Sequence, residues 1–396
     1  MKTWIFNGNV ITHDGLIRDG GVLVEDGKIL SLLKGGEGIG DAEAEKIDAK
    51  GMYIAPGFID VHVHGGGGAE VMGATPEEIV KIAEAHSRYG TTSILPTTLA
   101  SPVRDLCEAM DAVKAAMEIP CGSNILGVHL EGPFLSPAQA GAQKPEYIYT
   151  ANEENIHALL DRWDGVKLMG AAPECENGYR LGEELQKRGI TASVAHSDAT
   201  FDETIRALEH GYEDITHLYS GCSVMHRVNA YRIAGVVEAG LYEDRFTAQV
   251  IADGKHLPAA LLKLIYKCKG ADRIVLITDG LAMSASSIRE GETYLQKNGV
   301  MTVMNDGVMK LMDGQAFAGS IATMNRLVRN MVQLAGVPLY EAVRMASENP
   351  AKLVRVSGNK GSLEVGKDAD IVLFDEHIDV KLTMTGGRVV YREEAV

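Results

Sequence analysis

The sequence predicts an α/β fold: a (β/α)8 TIM-like barrel over residues 55–354, with a small β-structure joining the chain ends, residues 1–54 and 355–396. Three observations predict it. The two ends are short apolar runs separated by Gly-containing turns. The long middle alternates apolar runs with amphipathic stretches. Six of the eight apolar runs of the middle carry His, Asp or Glu at or beside their carboxyl end.

At the amino end, Thr3 to Asn7, Val10 to Thr12, Gly21 to Glu25 and Lys28 to Leu33 read as strands, with Asp26-Gly27 as a hairpin turn. Eight further strands are expected at Phe58 to His64, Thr92 to Thr97, Ile125 to Glu131, Val166 to Ala172, Ala192 to Ser197, Ile215 to Tyr219, Thr247 to Asp253 and Ile274 to Thr278. Helices lie between them, such as Pro76 to Arg88 behind a Thr75 N-cap, Asp202 to His210 and Pro258 to Lys269. Helices at Ala322 to Leu334 and Leu339 to Ser347 follow the last strand. Eight strands with intervening helices favour a closed barrel over an open sheet. The chain then returns to strands at Ile371 to Phe374, Val380 to Thr385 and Arg388 to Tyr391, with Gly386-Gly387 as a turn. Neither end is long enough for a core of its own, so the two are expected to fold together.

The formal charge of −16, with no basic tract, argues against nucleic acid and anionic membranes as partners. A small phosphorylated metabolite remains compatible, given a local cationic pocket. The five cysteines are odd in number and widely spaced, with no C-x-x-C pair, as expected of reduced thiols. With no signal-like amino terminus and no membrane-length apolar run, a cytoplasmic protein is expected.

The chemistry concentrates where strands end, which in a barrel is one face. His62 and His64 are two apart on a strand and project to one side, with Asp60 in the same parity. Two neutral imidazoles so placed suit a divalent ion. His129 and Glu131 share a face in the third strand. A carboxylate ending an apolar strand is costly to bury without a cation; His129 is either a ligand or a group behind one. His196 and His217 end the next candidate strands, and two His with one carboxylate suit zinc and its neighbours. Asp253, His256 and Asp279 follow at later strand ends. Asp279 reads as a ligand, a cap or a proton shuttle, and its company favours proton transfer. The other histidines (His13, His86, His157, His210, His226, His377) read as surface groups.

Taken in order, PGFIDVHVHG, HLEGPF, AHSDA, THLY, IADGKH, TDG and AGS make the chain resemble the amidohydrolase superfamily, and within it the deacetylases of amino-sugar phosphates. The likeness continues through Asn349 to Ala351 and GSLEVGKDADIVLFD. It implies a barrel with a β-sandwich from both termini, and hydrolysis of N-acetylglucosamine 6-phosphate to glucosamine 6-phosphate and acetate. It implies metal binding by Glu131, His196 and His217, with His62 and His64 able to hold a second ion bridged through Glu131. The ions would be divalent Zn, Fe, Mn or Co, one or two per subunit. Asp279 matches the catalytic acid/base, and His256 the group that polarises the acetyl carbonyl. Ala142, Ser220, Gly221, Arg227, Phe317 and Gly319 match the sugar-phosphate pocket, together with His256. A homodimer is implied, one arginine reaching the neighbour's pocket. The chain departs from the pattern at Ser220-Gly221-Cys222, where Asn-Ala-Met is common, and at Gly141-Ala142-Gln143, where Gly-Ala-His or Gly-Thr-His is common. Arg227 aligns only after a one-residue shift, with Arg232 as competitor. These departures leave other acylated substrates open, such as N-acetylgalactosamine 6-phosphate or an acylated amino acid. A catalytically silent barrel is disfavoured by the intact set of polar residues.

Overall fold

Parallel pairing runs without a break around the barrel wall, from Phe58–Val63 through Thr91–Thr98, Val128–Glu131, Val166–Ala171, Thr191–Val194, Tyr212–Ile215 and Thr247–Val250 to Ile274–Leu276. A parallel bridge between Val63 and Gly280 joins the last strand's exit to the first strand. The Asp279 N–H donates to His62 O at 2.9 Å across the same seam. The computed structural model describes residues 2–34 and 44–394. Met1, residues 35–43 and residues 395–396, which the expected terminal unit includes, lie outside the described residues.

The strands stop earlier than the sequence suggests. Thr191–Val194 ends two residues before His196, and Ile274–Leu276 three before Asp279. The sixth strand is Tyr212–Ile215, ending where the sequence pattern has Ile215 to Tyr219 begin. The cause is local: His196, His217 and Asp279 have φ of 44°, 30° and 48°, a left-handed backbone that leaves the ladder. The third strand is also interrupted, into Asn124–Ile125 and Val128–Glu131. Gly127 between them has φ +136°, and a Cβ there would lie 2.2 Å from Gly165 O.

Both chain ends join one eight-stranded sheet, the carboxyl-terminal part entering through Ile371–Phe374 paired antiparallel to Tyr53–Pro56. Ile5, Val10, Val24, Ile54, Leu373 and Leu382 belong to its own apolar cluster. The Asp26-Gly27 hairpin forms, with Glu25 opposite Lys28. Asn7-Gly8 does not break the first strand: Lys2–Thr12 runs through it with irregular register, Asn7 at φ 57°.

Thr75 caps Pro76–Ser87 with a reciprocal pair, Glu78 N–H to Thr75 Oγ1 at 3.3 Å and Thr75 N–H to Glu78 Oε2 at 2.9 Å. His86 on that helix is buried rather than exposed, its Nε2 donating to Gly65 O at 2.9 Å. It thereby fixes the glycine loop after the first strand. The expected Ala322 to Leu334 helix is Met324–Asn330 continued in π geometry over Met331–Ala335. An antiparallel four-stranded sheet, Thr293–Leu295, Met301–Asn305, Val308–Leu311 and Phe317–Gly319, is additional to the expected elements; it delivers Phe317 and Gly319 to the barrel mouth. No helix among the described residues is long and apolar enough to cross a membrane.

Candidate active site

At the mouth, side chains far apart in sequence converge. Glu131 Oε1 lies 2.8 Å from His217 Nε2, 3.1 Å from His196 Nε2 and 3.5 Å from His62 Nε2. His64 Nε2 lies 3.1 Å from both Asp279 Oδ1 and His62 Nε2. Ligand atoms of His62, Glu131 and His217 lie within 4.8 Å of one another, as do those of His62, His64 and Asp279. The left-handed backbones at His196, His217 and Asp279 are sterically unfavourable for these residues and are the kind of strain that clusters at functional sites.

The outer ring nitrogens decide what the inner ones can do. His64 Nδ1 lies 3.1 Å from Thr97 O and His196 Nδ1 2.8 Å from Gln139 O, oxygens that only accept. His62 Nδ1 lies 3.3 Å from Gln249 Oε1, while Gln249 Nε2 donates to Asp214 Oδ2 at 2.7 Å, fixing the amide's orientation. Each Nδ1 must therefore donate, which in a neutral ring leaves an Nε2 lone pair pointing inward. Three such lone pairs then face one another and two carboxylates. Only cationic charge at their centre reconciles that arrangement, and His nitrogen with carboxylate oxygen is a donor set for a divalent transition metal. The residues present fit such an ion.

Without an ion the electrostatics divide the ring: burial keeps some imidazoles neutral, while the carboxylates pull His64 and His196 toward the protonated form, supplying the cationic charge that a metal would bring. Burial drives the His62 pKa well below its ordinary value, keeping the ring neutral. Burial pushes Glu131 up, but His62, His196 and His217 outweigh it and hold the carboxyl well below the usual range. His64 is lifted to about 8 because Asp279 and Glu131 overcome its burial. Asp60, pushed up to about 7 by burial, accepts from Thr278 Oγ1 at 2.5 Å and braces the approach to Asp279. His129 sits behind the ring, Nδ1 3.1 Å from Val61 O, and is in neither candidate ligand group.

Next to this centre opens a cavity of about 300 Å³, walled in part by Ala142, Ser220, Gly221, His256, Phe317 and Gly319. All the residues matched to a sugar-phosphate pocket line it except Arg227. That residue stands exposed on the hairpin His226–Val228/Tyr231–Ile233, opposite Arg232, and does not reach the cavity of its own chain. Among the described residues, no Lys or Arg lines the cavity.

The Amidohydrolase family profile matches residues 53–390. The chain belongs to the Amidohydrolase family. This amidohydrolase is 34% identical to an N-acetylglucosamine-6-phosphate deacetylase of Lysinibacillus sphaericus, over 97% of both chains. It is 32% identical to an N-acetylgalactosamine-6-phosphate deacetylase of Escherichia coli O157:H7, over 96% of this chain and 97% of the other. Among solved structures, the N-acetylglucosamine-6-phosphate deacetylase of Pasteurella multocida superposes with TM-score 0.90 at 29% identity, covering 98% of this chain and 99% of that one. A mutant of the Mycobacterium smegmatis N-acetyl-D-glucosamine-6-phosphate deacetylase, in complex with N-acetyl-D-glucosamine-6-phosphate, superposes with TM-score 0.89 at 28% identity, covering 98% and 99%.

Several residues of this amidohydrolase's site escape a sequence reading. Gln249 left one signal, a buried amide in the apolar strand Thr247–Val250. Asp214 carries a weaker one, a carboxylate inside Tyr212–Ile215. Gln139 ends the short 3-10 helix Pro137–Gln139 and Gln143 lies in the turn beyond it, so neither offers a periodic signal, and Gln143 stood out only as a departure from the resembled pattern.

Proposed function

We propose that this amidohydrolase hydrolyses N-acetylglucosamine 6-phosphate to glucosamine 6-phosphate and acetate. The observation that carries the reading is the ring of inward Nε2 lone pairs around Glu131, opening into a cavity sized for one sugar phosphate. Glu131, His196 and His217, with His62 and His64, would hold one or two divalent ions, Zn, Fe, Mn or Co. Such an ion supplies Lewis acidity for an amide carbonyl and for water. Asp279, whose Oδ1 faces the ring, takes the proton of the attacking water and returns it to the leaving amine nitrogen. His256, its Nδ1 held 2.8 Å from Asp253 Oδ2, donates from Nε2 to the carbonyl oxygen as negative charge develops there. Ala142, Ser220, Gly221, Phe317 and Gly319 shape the sugar subsite.

The phosphate needs a cation that the cavity wall of one chain does not carry among its described residues. A homodimer supplies it through Arg227 of the exposed hairpin. Val224, Met225, Val228 and Tyr231, exposed by 46–76%, support a subunit contact around that arm. The free cysteines support a reducing, cytoplasmic setting. The division into residues 55–354 and a unit of residues 1–54 with 355–396 belongs to the same proposal.

The test is acetate release over N-acetyl sugars with added divalent metal. The expected order places N-acetylglucosamine 6-phosphate first in kcat/KM, with the unphosphorylated sugar far behind. A preference for the unphosphorylated sugar overturns the reading. A second reading, N-acetylgalactosamine 6-phosphate, is favoured by the altered Ser220-Gly221-Cys222 segment and the Escherichia coli relative. The C4 epimers compared side by side separate the two.

A further inference from the structure

The two oxygens of Glu131 have different surroundings. Oε1 faces His217 and His196. Oε2 accepts a hydrogen bond from Gln143 Nε2 at 2.7 Å, with His64 Nε2 farther off at 3.4 Å. The Gln143 amide cannot turn over, because its Oε1 accepts from the Ala100 N–H at 2.8 Å. The side chain is buried, at 6% exposure.

The same short segment also grips His196. Gln139 O accepts from His196 Nδ1 at 2.8 Å, and the Ser136 N–H donates to His196 O at 2.9 Å. The segment is folded on itself, with the Gln143 N–H donating to Ala140 O at 2.9 Å and the Gln139 N–H to Ser136 O at 3.0 Å. Gln139 Nε2 anchors it to Asp198 Oδ1 at 2.8 Å. Residues 136–143 thus brace two of the proposed ligands.

We propose that Gln143 is a positioning residue for the metal centre: its amide nitrogen fixes the rotation of the Glu131 carboxylate and so sets affinity for the divalent ion. The torsion that turns a Glu carboxylate is broad and roughly two-fold, so packing alone does not choose which oxygen points inward. A donor on one oxygen chooses. Without it, a buried carboxylate oxygen is left short of a partner. The role requires an N–H at that reach, which a histidine ring nitrogen also offers. Either side chain donates; Gln143 also lies in the cavity wall, so metal affinity rather than turnover is the readout that isolates this role.

The inference rests on the proposed metal-dependent function, and its test keeps the two apart. The affinity of the metal-stripped protein for Zn²⁺ and Co²⁺ is measured by competition with a chromogenic chelator, for wild type, Gln143→Leu and Gln143→His. Groups that orient metal ligands typically account for about 10–100-fold in affinity. Gln143→Leu is expected to bind both ions about 10–100-fold more weakly. Gln143→His is expected to recover most of the loss. Wild-type affinity in Gln143→Leu, or no recovery in Gln143→His, overturns the role of Gln143 while leaving the metal site standing. A wild-type protein that binds neither ion overturns the metal site, and the inference with it. Should Gln143→Leu fail to fold, Gln143→Asn withdraws the nitrogen from Glu131 without adding apolar bulk, and the same loss is expected.

Discussion

Replacing Asp253 by Asn separates two ways in which His256 can act. Both side chains are buried, at 2% and 3% exposure. Asp253 Oδ1 accepts the backbone N–H groups of Lys255 and His256, each at 2.8 Å, and Oδ2 faces His256 Nδ1 at 2.8 Å. Burial pushes the Asp253 carboxyl up, but His256 and those two amides outweigh it and hold it below the ordinary value. The pair is therefore a carboxylate supporting an imidazole that carries hydrogen on Nδ1, and the proposed donation from Nε2 as well requires that ring in its cationic form, with Asp253 as its counter-charge. In the Asn variant the side-chain oxygen must stay with the two backbone donors, so the amide nitrogen takes the place of Oδ2. An amide nitrogen cannot accept, and Nδ1 must then do so, which moves the neutral ring's hydrogen to Nε2.

The variant thus keeps a donor aimed at the substrate carbonyl and loses the charge behind it. A hydrogen bond to a charged partner contributes about 1.5–3 kcal/mol, so kcat is expected to fall about 10–150-fold with KM nearly constant. His256→Ala removes the donor entirely, and loss of one such donor lowers kcat by about 100–1000-fold. Steady-state acetate release on both variants, at saturating metal, gives the comparison. Wild-type kcat in Asp253→Asn would remove the pair from the mechanism. A rate as low as that of His256→Ala would mean that the Nε2 lone pair, not an N–H, does the work, and the assignment of His256 as carbonyl donor would fall.

Stripping the metal with a chelator should abolish activity and lower the unfolding temperature, because an ion at a thousand times its Kd stabilises the folded state by about 4 kcal/mol; calorimetry with and without added Zn²⁺ measures the shift, and an unchanged Tm contradicts it. Thr75→Ala breaks the reciprocal cap of Pro76–Ser87 and should destabilise the protein by about 1 kcal/mol in urea unfolding, with kcat unchanged. Lys269 is buried and donates to Glu243 O at 2.6 Å; burial lowers its pKa to about 8 from 10.5. Between those values the unfolded chain holds the proton and the folded chain does not, so this lysine adds stability as pH rises from about 8 to 10.5, roughly 3 kcal/mol in all. Relative to a Lys269→Met variant, wild type should gain stability across that interval; a constant difference would refute the shift.

How much of this was legible in the sequence depends on where each residue's partners lie. The convergence of strand-end side chains was readable because a barrel turns chain order into a ring: a polar residue closing an apolar run goes to the mouth whatever its neighbours are. The strand limits were not, because nothing in Ala195-His196 or Thr216-His217 marks a left-handed backbone at a residue other than Gly. That conformation is held by contacts made only after closure, such as the Ser136 N–H on His196 O. His86 was legible and misread, since Ile79, Ile82, Ala83 and His86 share one buried helical face. The four-stranded sheet also carried signals, Asn298-Gly299 and Asp306-Gly307, each at a hairpin turn. Gln139 and Gln143 are a different case. Their partners stand 57 and 12 residues away, on strand exits that come together only in the closed barrel. Arg227 extends the rule one step further: when a side chain meets no acidic partner among the described residues, no reading of that chain, folded or unfolded, can pair it, and the surface around it carries the remaining information. Four exposed apolar side chains, Val224, Met225, Val228 and Tyr231, lie on or beside the same hairpin, and the proposed subunit contact rests on them.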